Sequence, residues 1–183
     1  REREYIFSHR YNLACDYFDL GLLFADKEDY ATAREFYAKS LRLFEKMRLR
    51  EETSDYYFNL GEIYLFEKKY LKAQESYLQG LKIDRLQDNK ASLVSDYNML
   101  GELYVEMGDA GAAEEYFLQA EDAAQKINAQ PELAAVSYNL GLLYKNKGWK
   151  HKARQYLRQA QEIYMHIDIP AKELVKNELL TLD

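Results

Sequence analysis

A Leu-Gly pair recurs in this chain at a step of 40 residues, as Leu20-Gly21, Leu60-Gly61, Leu100-Gly101 and Leu140-Gly141. An aromatic residue follows each glycine by three positions: Phe24, Tyr64, Tyr104 and Tyr144. Four of the eight glycines therefore mark one place in one repeated unit, and a fixed period of tens of residues is the mark of stacked structural repeats. Such an array has no single core, so the 183 residues count repeats rather than size one globule.

The 40-residue frame aligns Ala33, Ala73, Ala113 and Ala153 at one small position and Ser40, Gly80, Ala120 and Ala160 at another. Between them stands a bulky residue, Tyr37, Tyr77, Phe117 or Leu157. In the second unit Tyr57, Leu60, Gly61 and Tyr64 fall at i, i+3, i+4 and i+7, and Tyr70, Ala73, Tyr77 and Leu81 form a second apolar stripe beyond Lys68-Lys69. Each unit is thus a pair of amphipathic helices, A and B. Glycine costs roughly 1 kcal/mol in a helix interior, so its repetition implies that helix A approaches helix B closely there.

Helix A should end near Lys27 to Asp29, Glu67 to Lys69, Gly108-Asp109 and Gly148-Trp149, and helix B near Met47, Leu86, Ile127 and Ile167. Pro131 and Pro170 lie just beyond such ends, where proline opens a helix without losing a hydrogen bond. The frame gives one domain over 1–183, with repeats at about 10–48, 50–88, 90–128 and 130–168 and a capping helix over 170–182. Residues 1 to about 8 are either the tail of a preceding helix B or an extension of the first helix A. The last helix either caps the array or opens a further repeat, and a chain beginning with Arg rather than Met reads as a piece of a longer protein.

With 48% hydrophobic and 31% charged residues, the chain is too apolar for disorder and too charged for a membrane protein. No run approaches the roughly 18 apolar residues of a spanning helix, and the expected location is cytoplasmic. Cys15 is the single cysteine, which precludes an internal disulfide. A net charge of −6 argues against a general nucleic-acid binder. From Leu133 to Gln161, however, no acidic residue accompanies Lys145, Lys147, Lys150, Lys152, Arg154 and Arg158, so this window carries +6 and the remainder −12.

The aromatic, Leu-Gly, Tyr sequence of helix A and the small, bulky, small sequence of helix B resemble the tetratricopeptide repeat over essentially the whole chain. The unit here has 40 residues where that family usually has 34, and its usual proline near the end of helix B is replaced by Glu45, Arg85, Gln125 and Met165. The resemblance implies an all-α, right-handed superhelical solenoid whose concave wall, built from A helices, binds a peptide or partner protein. On that wall it would place Phe18, Leu22 and Ala25, then Asp55, Phe58, Asn59, Glu62 and Phe66. The third unit would offer Asn98, Glu102, Val105 and Glu106, and the fourth Tyr138, Asn139, Leu142 and Lys145. Amides on such a wall would bond a peptide backbone, and its carboxylates would favour a basic ligand in the central groove. The cationic clamp by which some relatives hold a C-terminal carboxylate is missing, since Cys15, Asp55, Ser95 and Ala135, and Phe18, Phe58, Asn98 and Tyr138, stand at its positions.

Most of the 17 tyrosines, among them Tyr57, Tyr64, Tyr77, Tyr104 and Tyr144, fall on core positions. Trp149 lies in the turn of the fourth unit, where it either caps the neighbouring turn or, with Lys150, Lys152 and Arg154, offers a second partner surface. His9, His151 and His166 lack companions at metal-ligand spacing, no glycine-rich phosphate loop exists, and Glu62 and Glu102 have no nucleophile beside them. The sequence therefore predicts a non-enzymatic adaptor module without cofactor. The two alternatives are the ligand-sensing region of a larger regulator and a self-assembling scaffold joined head to tail through its basic and acidic ends.

Overall fold

A computed structural model describes residues 2–167 and 171–182. Among these residues every regular element is an α-helix: α1 (Glu2–Asp26), α2 (Tyr30–Met47), α3 (Arg50–Phe66), α4 (Tyr70–Gln87), α5 (Lys90–Glu106), α6 (Ala110–Ile127), α7 (Gln130–Asn146), α8 (Lys150–His166) and α9 (Ala171–Leu180). None is long and apolar enough to cross a membrane. The helices fall into two compact units, Arg1–Asp88 and Asn89–Asp183, the first holding two A/B pairs and the second two pairs plus α9. The N-terminal residues extend the first helix A, since α1 runs unbroken from Glu2. Pro131 sits in the first turn of α7 as expected, while Pro170 lies outside the described residues.

The A-to-B turns repeat atom for atom. A left-handed residue occurs at Glu28, Lys68, Gly108 and Gly148, and the next residue returns its N–H to the last turn of helix A. These bonds are Asp29 N to Phe24 O (2.9 Å), Lys69 N to Tyr64 O (2.7 Å), Asp109 N to Tyr104 O (2.9 Å) and Trp149 N to Tyr144 O (2.9 Å). In the first and third turns the same residue caps helix B: Asp29 accepts from Thr32 N, and Asp109 from Gly111 N and Ala112 N. Lys69 and Trp149 supply no such side-chain bond. A capping Asp is worth about 0.5–2 kcal/mol over a residue that cannot cap, so Trp149 holds its place at a cost.

The recurrent glycines seat a ring or a branched chain rather than a bare backbone crossing. A Cβ on Gly21 would collide with Tyr37, on Gly61 with Tyr77, on Gly101 with Phe117 and on Gly141 with Leu157. All four bulky residues are buried, each filling the gap between its A and B helices. In the first unit Tyr37 packs with Ala33, Tyr56 and Ile63; in the second Phe117 and Leu157 share a core with Leu140, Leu143 and Tyr144. Val175 of α9 and Leu182 beyond it complete that second core.

One polar contact repeats between successive pairs with its charges exchanged. Arg34 of α2 binds Glu67 in the following A-to-B turn at 2.9 Å, and its guanidinium stands 5.9 Å from the Tyr64 ring centre. Eighty residues on, Glu114 of α6 accepts from Lys147 and, at 2.7 Å, from the Tyr144 hydroxyl. Burial works to raise the Glu114 carboxyl, but the bonds from Lys147 and Tyr144 prevail and hold it below the ordinary glutamate value. Its folded-state pKa being depressed, this contribution is present above the unfolded value of 4.5 and fades as pH falls through the folded one. Glu114→Arg should cost the second unit about 1–2 kcal/mol in urea denaturation, and adding Lys147→Glu, which copies the polarity of the first unit, should recover most of it. Equal losses in the single and double variants would remove the pair from the account of how these repeats keep register.

Candidate functional site

In the first unit residues of α1, α2 and α3 frame a cavity of about 170 Å³ lined by Cys15, Phe18, Asp19, Phe44 and Asp55. The spacing of Cys15, Phe18 and Asp19 puts all three on one stripe of α1, while Asp55 comes from the first turns of α3. Buried Phe44 comes from α2, and its ring meets Tyr11 edge-on at 6.1 Å. Phe18 is half-buried and leans on Tyr37 with ring centres 5.3 Å apart. Both carboxylates are exposed. An apolar cavity flanked by two acidic groups is complementary to a long side chain with an apolar stem and a cationic head. Of the cavity's lining, Phe18 and Asp55 are among the wall positions expected from the sequence, whereas Asp19 and Phe44 are not singled out there, although Asp19 follows Phe18 directly.

The remaining wall positions of this unit diverge. Leu22 is exposed, Ala25 half-buried against the core, and Phe66, 69% exposed, lies beside Tyr30 with stacked rings 6.1 Å apart rather than with the cavity. Phe58 corrects the expectation: it is only 7% exposed, stacked on Tyr77 at 5.8 Å. The reason is Gly80, on which a Cβ would stand 2.5 Å from the Phe58 ring. The other copies carry Ser40, Ala120 or Ala160 there, and only the missing side chain lets the ring sink. Asn59 donates to Asp55 O at 2.7 Å and accepts from the Tyr37 hydroxyl at 3.4 Å, so its amide is engaged on both sides within the protein. Glu62 is half-buried, and its charge adds to burial in pushing the Tyr37 hydroxyl up to about 12.

In the second unit the positions expected on the wall are arranged differently. Asn139 of α7 donates to Asn98 Oδ1 at 2.9 Å and to Glu102 Oε1 at 2.8 Å, and Asn98 donates to the same Glu102 oxygen at 2.7 Å. These amides tie α5 to α7, both turning an N–H to Glu102 and Asn139 another to Asn98. Val105 and Glu106 are exposed; Tyr138 and Leu142 are half-buried. Burial, reinforced by the Glu178 charge, raises the Tyr138 hydroxyl. Lys145 is no open cation, for it binds Glu178 at 2.6 Å and Thr181 at 2.7 Å across to α9 and the turn after it.

Of the basic turn residues, Lys150 and Arg154 donate to Leu182 O at 3.1 and 3.3 Å. Trp149 lies against Tyr144, the rings stacked at 5.7 Å, yet remains 47% exposed. The ammonium of Lys152 stands over both rings, 4.7 Å from the centre of Tyr144 and 5.0 Å from that of Trp149.

A family model described as tetratricopeptide repeat matches residues 12–86 and 88–165. No curated protein sequence is matched significantly. Among solved structures, BtubC (BKLC) from P. vanneervenii superposes with a TM-score of 0.86 at 19% identity, over 99% of this chain and 77% of that one. Aspartyl phosphate phosphatase F from Bacillus subtilis gives 0.85 at 16% identity, over 99% of this chain and 48% of its own. The Rap conjugation gene regulator of the plasmid pLS20, in complex with the Phr* peptide, gives 0.74 at 20% identity, over 91% and 46%. The chain spans about half the length of these last two proteins.

Proposed function

Because the chain belongs to the tetratricopeptide repeat family, we propose that it is a non-enzymatic interaction module that holds an extended peptide or partner segment against its A helices, with a basic side chain entering the cavity of the first unit. The observation that carries this is the cavity itself: Phe18 and Phe44 supply apolar lining for an aliphatic stem, and Asp19 and Asp55 supply charge for its head. The peptide bound by the pLS20 regulator, a protein of the same fold, supports a peptide as the class of ligand.

Cys15 lines the cavity and is the only cysteine, so its alkylation rate reports occupancy directly. Peptides carrying Lys or Arg at one position are expected to slow that reaction and to bind about tenfold more tightly than counterparts with Glu there. Asp19→Asn with Asp55→Asn should erase the preference while leaving helicity unchanged. Indifference to the sign of the peptide charge would sink the assignment of this cavity.

A second reading, a sensing region within a larger regulator, is favoured by the resemblance to a gene regulator about twice as long. An output domain encoded beside this segment would establish it.

A further inference from the structure

Trp149 occupies a place where the first and third turns carry a capping Asp, and its ring does not cap. What it builds is a platform. Tyr156, Tyr144 and Trp149 stack in succession, with centres 5.5 and 5.7 Å apart, and Lys147 and Lys152 stand 4.8 and 5.0 Å from the Trp149 ring centre. Helix α8 also lines a shallow groove of about 600 Å³, formed by His151, Arg154, Gln155, Arg158, Gln159 and Glu162.

The charge around this surface is one-sided. Helix α8 carries Lys150, Lys152, Arg154 and Arg158 against Glu162, whereas α6 carries Glu114, Glu115, Glu121 and Asp122 against Lys126. Two of those α6 carboxylates are committed inward: Glu114 to Lys147 and Tyr144, and Glu121 to Tyr156 at 3.4 Å. Lys150 and Arg154 both donate to Leu182 O. Lys152, His151 and Arg158 are exposed.

We propose that Trp149 and the adjoining face of α8 form a second interaction surface, separate from the cavity of the first unit, that takes an acidic segment of a partner protein. An apolar side chain of that segment lies on Trp149 while its carboxylates meet Lys152 and Arg158. The aromatic faces already hold Lys152 in place, so docking orders fewer rotamers than a free lysine would require. A half-exposed tryptophan is the residue type that most often anchors an interface, and the single-sign field attracts an acidic chain from a distance.

Trp149 is the sole tryptophan, so its fluorescence reads the surface in the intact chain. A glutamate-rich peptide with one central leucine is expected to shift Trp149 emission saturably, and its lysine-for-glutamate counterpart is expected to leave it unchanged. Raising salt well above about 0.1 M, where the Debye length drops below about 10 Å, should weaken the acidic peptide. Lys152→Glu and Arg158→Glu should each reduce its affinity at least about tenfold by calorimetry. Trp149→Asp, which restores a capping residue, should keep the helical circular dichroism and lose the binding. Asp19→Asn with Asp55→Asn should leave the acidic peptide unaffected, which separates this surface from the cavity. Equal binding of the two peptides, undiminished binding by Lys152→Glu, or an oligothymidylate that binds where the acidic peptide does not would overturn the proposal.

Discussion

Gly101→Ala is expected to destabilise the second unit by about 1–2 kcal/mol, although alanine is the better helix former by roughly 1 kcal/mol. The new methyl would overlap Cδ1 and Cε1 of Phe117, with Cζ at 2.9 Å. Phe117 cannot retreat, because it is 1% exposed and enclosed by Ala113, Ala120 and Leu140. Overpacking of this kind costs about 1–3 kcal/mol and outweighs the gain in propensity. Gly111→Ala serves as the control: its nearest neighbour, Asp109 Oδ1, is 3.4 Å away, so that change should be neutral or mildly stabilising in urea. Phe117→Ala alone should cost about 3–5 kcal/mol, and in its background Gly101→Ala should become neutral or favourable, since the obstructing ring is gone. A Gly101→Ala penalty that is the same with and without Phe117 would show that the glycine serves some purpose other than seating the ring.

That cycle also marks where sequence reasoning reached and where it stopped. The 40-residue period placed the turns within a residue or two, because the Leu-Gly pair and the helix-ending positions recur with it. Local patterning could not tell Phe18 from Phe58, which share a repeat position; what separates them is Gly80, on a different helix. Counting charge along the chain likewise made Lys145 and Lys147 look like open basic surface. The carboxylates that meet them, Glu178 and Glu114, each lie 33 residues away, the same separation as Arg34 from Glu67. Stacked repeats put partners about one period apart, so a window of contiguous residues misses them. The amide contact between α5 and α7 spans a similar separation, Asn139 donating to Asn98 41 residues away.

Alkaline pH should unfold the protein while tyrosine titrates, through many small terms of one sign. Burial is the leading cause that raises the hydroxyls of Tyr37, Tyr56 and Tyr57 in the first unit. It acts in the same direction on Tyr138, Tyr144, Tyr156 and Tyr164 in the second. For Tyr37 the value reaches about 12, against 10.0 unperturbed, with Glu62 and Asp26 adding to burial. A folded pKa above the unfolded one means that this stability is fully present below pH 10. It is lost as pH rises towards 12, because the unfolded chain releases its proton first. Since Tyr37 is only 1% exposed, its share alone is on the order of 2–3 kcal/mol. Against a total stability of about 5–15 kcal/mol, that loss together with losses of the same sign from the other buried tyrosines weakens the fold as pH rises towards 12. Tyrosinate absorbance and loss of helical circular dichroism should therefore rise in one transition. Tyr37→Phe keeps the ring over Gly21 and gives up only the 3.4 Å bond to Asn59, so near neutrality it should match the parent within about 1 kcal/mol. Near the middle of the alkaline transition the same variant should be the more stable of the two. Tyrosinate absorbance that develops fully around pH 10 over an intact helical signal would mean that these hydroxyls reach solvent in the folded chain.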